Sequence, residues 1–314
     1  MALTVRPLTA ADIPTALDIL NRAFHEENLL LTGRGRMPFF GARLLEQRRA
    51  ADPAGTLLAE RDGRPVGVIG GAHWGSLAWF GPVGVDPAQQ RGGVGRALVA
   101  AWTDIQQARG ARLLGLETYA QSGGHVRLYT ALGFRPLWLS AALSRRVTDG
   151  AVMPGGVYRL SALPGSERHH ALAALRELAH DVFPGLDWSM EVTGTLTAAA
   201  GDALLLAPGD RVLGGAVCQV DTLSPGPTLF ISVAAVRPGP DAHAAFLRLL
   251  AGVEALAREL GRSRMAARVC TRYEAAHAAL RAAGFRDEGA MLRLKRGDGA
   301  DYERPDVFLL DSWL

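Results

Sequence analysis

The sequence predicts an α/β protein made twice, two domains in tandem, each a mixed sheet flanked by helices. Three observations predict it. The chain has 314 residues, more than the ~100–200 of an ordinary single domain. It also repeats: Val85-Asp-Pro87 returns as Val236-Arg-Pro238, and Leu132-Gly-Phe134-Arg135 returns as Ala283-Gly-Phe285-Arg286, both at an offset of 151 residues. Two separated matches sharing one offset are the mark of a duplication. Third, each copy alternates short extended apolar runs with stretches of helical spacing.

The elements of the first copy follow in order. Leu3–Arg6 reads as a short strand. Thr9-Ala-Ala-Asp12 then opens a helix with Thr9 as its cap. Ile13, Ala16, Leu17, Leu20 and Phe24 fall on one helical face. Residues 25–50 read as irregular or helical. Thr56–Glu60 and Pro65–Trp74 are strands around an Asp62-Gly63 hairpin turn, and Ser76–Val85 is a further strand. After a glycine-rich turn come a helix from about Gly93 to Ala108, a strand Arg112–Thr118, a helix Gly123–Leu132 and a strand Phe134–Leu143. Turn residues between Thr148 and Gly156 mark a linker, giving domains 1–148 and 156–314. In the second copy, Ala244–Leu260 is a helix with an apolar face (Phe246, Leu247, Leu249, Leu250, Val253, Leu256), and the tail Asp306–Leu314 reads as a strand. The first copy lacks an obvious last strand, so the tail or the linker is expected to complete a sheet across the domains.

Composition narrows the function. Thirty-four Lys and Arg against 31 Asp and Glu leave a formal charge of +3, too little for a nucleic-acid coat. Cys218 and Cys270 lie in apolar stretches and form no CxxC or Cys/His cluster, so neither a metal nor a disulfide framework is expected. No apolar run approaches the ~20 residues of a membrane helix, and the first residues lack a signal-peptide core. The expectation is a soluble cytoplasmic protein, monomer or homodimer, with no nucleic-acid or membrane partner.

The densest chemical signal is Val83-Gly84-Val85-Asp-Pro-Ala-Gln-Gln90-Arg91-Gly92-Gly93-Val94-Gly95-Arg96. A strand enters a glycine loop and passes directly into a helix. Glycines let the backbone approach a ligand closely. The free amides and positive dipole end of the helix make an anion site, and Arg91 and Arg96 add charge there. The loop fits neither the dinucleotide fingerprint nor the nucleotide P-loop, since no Gly-Lys-Ser/Thr follows.

Gln90-x-x-Gly93-x-Gly95 resembles the Q/R-x-x-G-x-G/A signature of the GNAT superfamily of N-acetyltransferases, and Leu128-Tyr129-Thr-Ala-Leu-Gly133-Phe134 resembles its LYxxLGF motif. The resemblance covers most of residues 1–145 and returns, weakened, in 155–314. It implies a mostly antiparallel, splayed sheet in each copy, with acetyl-CoA bound between two diverging strands. It would lay the pantetheine arm along the backbone of Val83, Gly84 and Val85, and the diphosphate on the amides from Arg91 through Gly92, Gly93, Val94 and Gly95 to Arg96. Ser122 stands where the family often has Asn, a departure that weakens that contact. Tyr129 matches the family's general acid. The chemistry suits it, because a phenol with pKa near ~10 can protonate a departing thiolate of pKa ~8.5.

The acceptor amine also has to lose a proton. Glu117, near the end of a cleft-lining strand and interrupting an apolar run, is the first candidate base; a salt-bridged strand-end carboxylate is the competing reading. Glu26, Glu27 and His73 are weaker candidates. The 151-residue offset turns Gln90 into Asp241, Gly93 into Ala244, Gly95 into Phe246, Tyr129 into Leu280 and Glu117 into Arg268. A carboxylate and a large ring at the loop oppose a diphosphate, so the second copy reads as a degenerate, non-catalytic GNAT-like domain. The implied activity is acetyl transfer from acetyl-CoA to a primary amine of a small molecule or peptide; the alternative is a non-catalytic acyl-CoA-binding or sensing protein. Mycothiol synthase is a tandem member of similar length, but it keeps its better-preserved site in the C-terminal half, and this chain does the reverse.

Overall fold

The computed structural model describes residues 2–32, 40–209, 211–222 and 226–313. In the first half, β1 (Leu3–Pro7) leads to α1 (Ile13–Thr32) and α2 (Ala42–Ala51). Then come β2 (Leu57–Arg61), β3 (Arg64–Trp74), β4 (Leu77–Val85), α3 (Val94–Ala108), β5 (Leu113–Thr118), α4 (Gly123–Thr130) and β6 (Arg135–Arg146). The second half repeats the order with β7 (Val157–Arg159), α5 (Gly165–Val182), α6 (Ser189–Thr197), β8 (Gly201–Leu206), β9 (Gly214–Val220), β10 (Thr228–Val236), α7 (Ala242–Glu259), β11 (Arg264–Cys270), α8 (Glu274–Ala282) and β12 (Arg286–Gly297). A last short strand, β13 (Leu309–Asp311), ends the order.

Local chemistry accounts for the joints. Thr9 and Asp12 bond reciprocally before α1: the Thr9 amide and hydroxyl both donate to Asp12 Oδ2, at 2.8 and 2.7 Å, and the Asp12 amide donates to the Thr9 carbonyl at 3.1 Å. Asp62 and Gly63 both have positive φ, 51° and 77°, the geometry a two-residue hairpin between β2 and β3 requires.

Among the described residues all thirteen strands belong to one sheet, in the order β1-β2-β3-β4-β5-β12-β6-β11-β10-β9-β8-β7, with β13 on β10. The centre of that order is an exchange. β12, from the second half, lies between β5 and β6 of the first, and β6 lies between β12 and β11 of the second. The missing last strand of the first copy is thus supplied by the other copy, and the reverse. The expected completion of a sheet across the two halves exists, but neither tail nor linker provides it. The tail strand pairs within its own half, Ala235↔Leu309 to Val233↔Asp311 on β10.

The duplication is also visible in the register. β4 and β5 run parallel from Leu77↔Leu113 to Phe80↔Leu116, and β10 and β11 from Thr228↔Arg264 to Ile231↔Ala267, every position shifted by 151. Both pairs then part. β4 is irregular between Phe80 and Val83 and β10 between Ile231 and Val233, the matching place, and a bulge there bends the strand away from its neighbour.

A second seam joins α2 to α6. Arg48 is buried between Glu191, at 2.9 Å, and the ring of Trp79, 4.3 Å from its centroid. Gln47 and the Trp74 indole donate to the same carboxylate at 2.7 and 3.2 Å. One apolar core spans this seam, with Trp74, Leu77, Trp79 and Leu113 packed among second-half residues.

Candidate active site

The parting of β4 and β5 leaves a cleft. Pro82 and Val83 form one wall, Glu117, Thr118 and Tyr119 the other; Phe80, His125 and Tyr129 face it, with Phe24 of α1 and Met291 of β12 at the rim. Of the residues singled out in the sequence, Val83, Glu117 and Tyr129 therefore meet here. Gly84 and Val85 continue along the same strand edge, pairing on their other side with Val68 and Gly67 of β3.

The glycine loop lies at the far end of β4. Asp86 caps a short turn by accepting from the Ala88 amide at 3.0 Å and is held by Arg22 at 3.0 Å. The Gln90 amide group donates to the Val85 carbonyl at 3.4 Å, and Arg61 donates to the Gly92 carbonyl at 2.8 Å. Arg91 and Gly93 take positive φ, 63° and 82°, which turns the chain into α3. The first α3 bond runs from the Ala97 amide to the Gly93 carbonyl, so the amides of Val94, Gly95 and Arg96 have no acceptor within the helix. Gln90, Arg91, Gly92, Gly93 and Arg96 are exposed, Gly95 is half-buried and Val94 buried. Ser122 is buried at the start of α4 and makes no capping bond.

Tyr129 is buried between Phe80 and Phe134, with ring centroids at 5.8 and 6.5 Å. Burial, with the charge of Glu27 adding to it, holds its phenol well above the usual pKa, so the proton is retained.

Glu117 is not a free carboxylate. Its Oε1 receives Arg293 Nη2 at 2.7 Å and Nε at 3.2 Å, as well as the Ser140 hydroxyl. Its Oε2 is buried without a hydrogen bond, 3.6 Å from Arg268 Nη1. Glu117 and Arg268 occupy matching places in the two copies, so the duplication has turned one position into an ion pair with its own counterpart. The salt-bridged reading of Glu117 is the one the geometry supports. His73 lies elsewhere, on β3, with its Nδ1 2.9 Å from Gln106. Part of the 25–50 segment, residues 33–39, lies outside the described residues.

Sequence reasoning passed over His125. Its Nδ1 is 3.2 Å from the Thr118 hydroxyl and 3.8 Å from Glu27. The signal was present, since His125 precedes Tyr129 by four residues and so shares its helix face. Met291 had no local signal, because it reaches the cleft only through the strand exchange.

In the second half the matching loop is filled by side chains. Phe246, at the place of Gly95, is fully buried and packs its ring 5.2 Å from Phe308. Among the described residues there is no group of three or more His, Cys, Asp or Glu placed to hold a metal, and no helix is long and apolar enough to cross a membrane.

Residues 19–134 match the model of the acetyltransferase (GNAT) family. A mycothiol acetyltransferase of Cellulomonas flavigena is 39% identical over 112 residues, 32% of each chain, and one of Thermomonospora curvata is 34% identical over 146 residues, 41% of this chain and 47% of that one. The chain thus covers less than half the length of these curated relatives. Among solved structures, a GCN5-related N-acetyltransferase of Sphaerobacter thermophilus aligns with a TM-score of 0.60 at 17% identity, over 96% of this chain and 98% of that one. A tandem GNAT protein from the clavulanic acid biosynthesis pathway aligns at 0.58 and 18% identity, over 96% and 100%. These two likenesses establish the fold.

Proposed function

We propose that this chain, whose residues 19–134 form a domain of the acetyltransferase (GNAT) family, transfers an acetyl group from acetyl-CoA to a primary amine in the cleft between β4 and β5. The observation that carries the reading is the alignment of three features along one strand. The unpaired edge of Val83 to Val85 can bond an extended amide-bearing arm. The amides opening α3 stand at one end for the diphosphate. The protonated Tyr129 stands at the other.

The amine attacks the thioester carbon, the tetrahedral adduct expels CoA as a thiolate, and the Tyr129 phenol supplies its proton as the C–S bond breaks. Burial disfavours a bare thiolate as it disfavours a phenolate, so the transfer does not depend on an ordinary phenol pKa. His125, on the cleft wall with its Nδ1 3.2 Å from the Thr118 hydroxyl, is the base we favour in place of Glu117. Glu117 then serves to hold Arg293, and with it the cleft wall, in place. The relatives' name, mycothiol acetyltransferase, puts mycothiol-related amines first among acceptors to try.

The test is amine-dependent thiol release from acetyl-CoA across a panel of small amines and peptides. Release with at least one acceptor is expected. Tight acetyl-CoA binding with no release from any acceptor would favour the binding-protein reading instead.

A further inference from the structure

The second of the two splayed strand pairs is already occupied. Where β10 leaves β11, β13 lies against the freed edge of β10 from Ala235↔Leu309 to Val233↔Asp311, and two more bonds extend the contact, Val236 amide to Phe308 carbonyl at 3.3 Å and Ser312 amide to Ser232 carbonyl at 3.0 Å. Val233 to Val236 match Pro82 to Val85 by the 151-residue offset, so the tail bonds the same strand edge that stands open in the first half. Its two ends fit the same frame. Phe308 packs on Phe246 and lies 5.7 Å from the His243 ring, at the opening turn of α7, where a diphosphate would have to sit. Asp311, at the inner end, accepts from Arg293 Nη1 and Nη2, each at 3.0 Å, and from Tyr302 at 2.9 Å.

We propose that the C-terminal strand is a built-in occupant of the second cleft, standing where the arm of an acyl donor would lie, so that the chain takes up one acyl-CoA and not two. The proposal rests on the donor reading given above for the first cleft. From that place the tail also serves the first site. Asp311 holds the Nη1–Nη2 edge of the Arg293 guanidinium and Glu117 the Nε–Nη2 edge, so the strand that closes the second cleft holds Arg293, and Arg293 positions Glu117. Trp313 continues the contact: its ring stacks 3.9 Å from the Arg293 guanidinium carbon and lies so close to β5 that a Cβ on Gly115 would stand 2.2 Å from it. A mobile lid would not be built this way. Asp311 and Trp313 are fully buried, and the Asp311 carboxylate is spent on bonds to Arg293 and Tyr302 within the protein.

The experiment is equilibrium titration of the full chain with CoA, paired with hydrogen exchange of the same samples. One equivalent bound is expected, and none by Gly95→Phe, which copies into the first loop the ring found in the second; a second equivalent, or one surviving in Gly95→Phe, would overturn the proposal. Amides at 234–236 and 310–312 should exchange slowly, with protection unchanged at saturating CoA. Loss of that protection on adding CoA would make the tail a displaceable lid and overturn the proposal even if Gly95→Phe failed to fold. No binding at all by the unsubstituted chain would instead defeat the donor reading. Exchange would still decide the tail: slow exchange keeps it as the occupant, and fast exchange removes it.

Discussion

Glu117 of β5 and Arg293 of β12 form an ion pair of 2.7 Å in which neither side chain has any solvent exposure, and 176 residues of chain separate them. Burial opposes the charge on Arg293, but Asp311 and Glu117 outweigh it and hold the guanidinium pKa well above its usual value. Breaking such a pair from one side strands the other partner's charge and costs about 3–5 kcal/mol. Arg293→Met leaves Glu117, Asp311 and Glu303 as three buried carboxylates around a missing cation, and should lower denaturant stability by at least that amount. Glu117→Gln leaves Arg293 its bonds to Asp311 and should cost less. Equal losses in chemical denaturation would contradict this division.

Tyr129→Phe removes the hydroxyl proposed as the proton donor and keeps the ring between Phe80 and Phe134. Turnover should fall ~10²–10⁴-fold with CoA affinity unchanged. The raised phenol pKa also predicts a pH profile. Tyr129 stays protonated through pH 10, so kcat/KM of the unsubstituted protein should show no descending limb there. A fall centred near pH 10 that disappears in Tyr129→Phe would contradict it.

The two candidate bases separate kinetically. If His125 takes the amine proton, His125→Gln lowers kcat by ~10²–10⁴. Glu117→Gln, which loosens the hold on Arg293 but removes no proton acceptor, then lowers kcat less than His125→Gln does. The reverse pattern would return the base to Glu117.

The exchange of β6 and β12 predicts that neither half is self-sufficient. A fragment of residues 1–148 has β5 and β6 but lacks both neighbours of β6, and so bares three strand edges that are paired in the full chain, a recipe for aggregation. It should be insoluble or unfolded alone and recover structure when co-expressed with 149–314. A cooperatively folding 1–148 fragment would count against the exchange.

Much of this was legible in the sequence because it is local. The Asp62-Gly63 turn, the glycine loop ahead of α3 and the LYxxLGF stretch each carry their geometry within a few residues. The duplication was legible because one offset recurs. The exchange was not: β6 and β12 are the same element in two copies, and no local pattern says which slot each fills. Glu117 shows the consequence. Its interruption of an apolar run drew attention as chemistry, while its partners, Arg293 and Arg268, come from the other copy. Gly115 is the converse case, a bare glycine in a strand whose reason is the ring of Trp313, 198 residues further along. The tail was legible as a strand by its apolar run but not in its place, since the edge it covers opens only after β10 and β11 have parted.

The most direct measurement is a crystal structure of the full chain with CoA bound. The account predicts one CoA, its pantetheine arm along Val83 to Val85, its diphosphate on the amides opening α3 and its sulfur beside the Tyr129 hydroxyl, with β13 still on β10. CoA found between β10 and β11, or a first cleft left empty at saturating CoA, would contradict it.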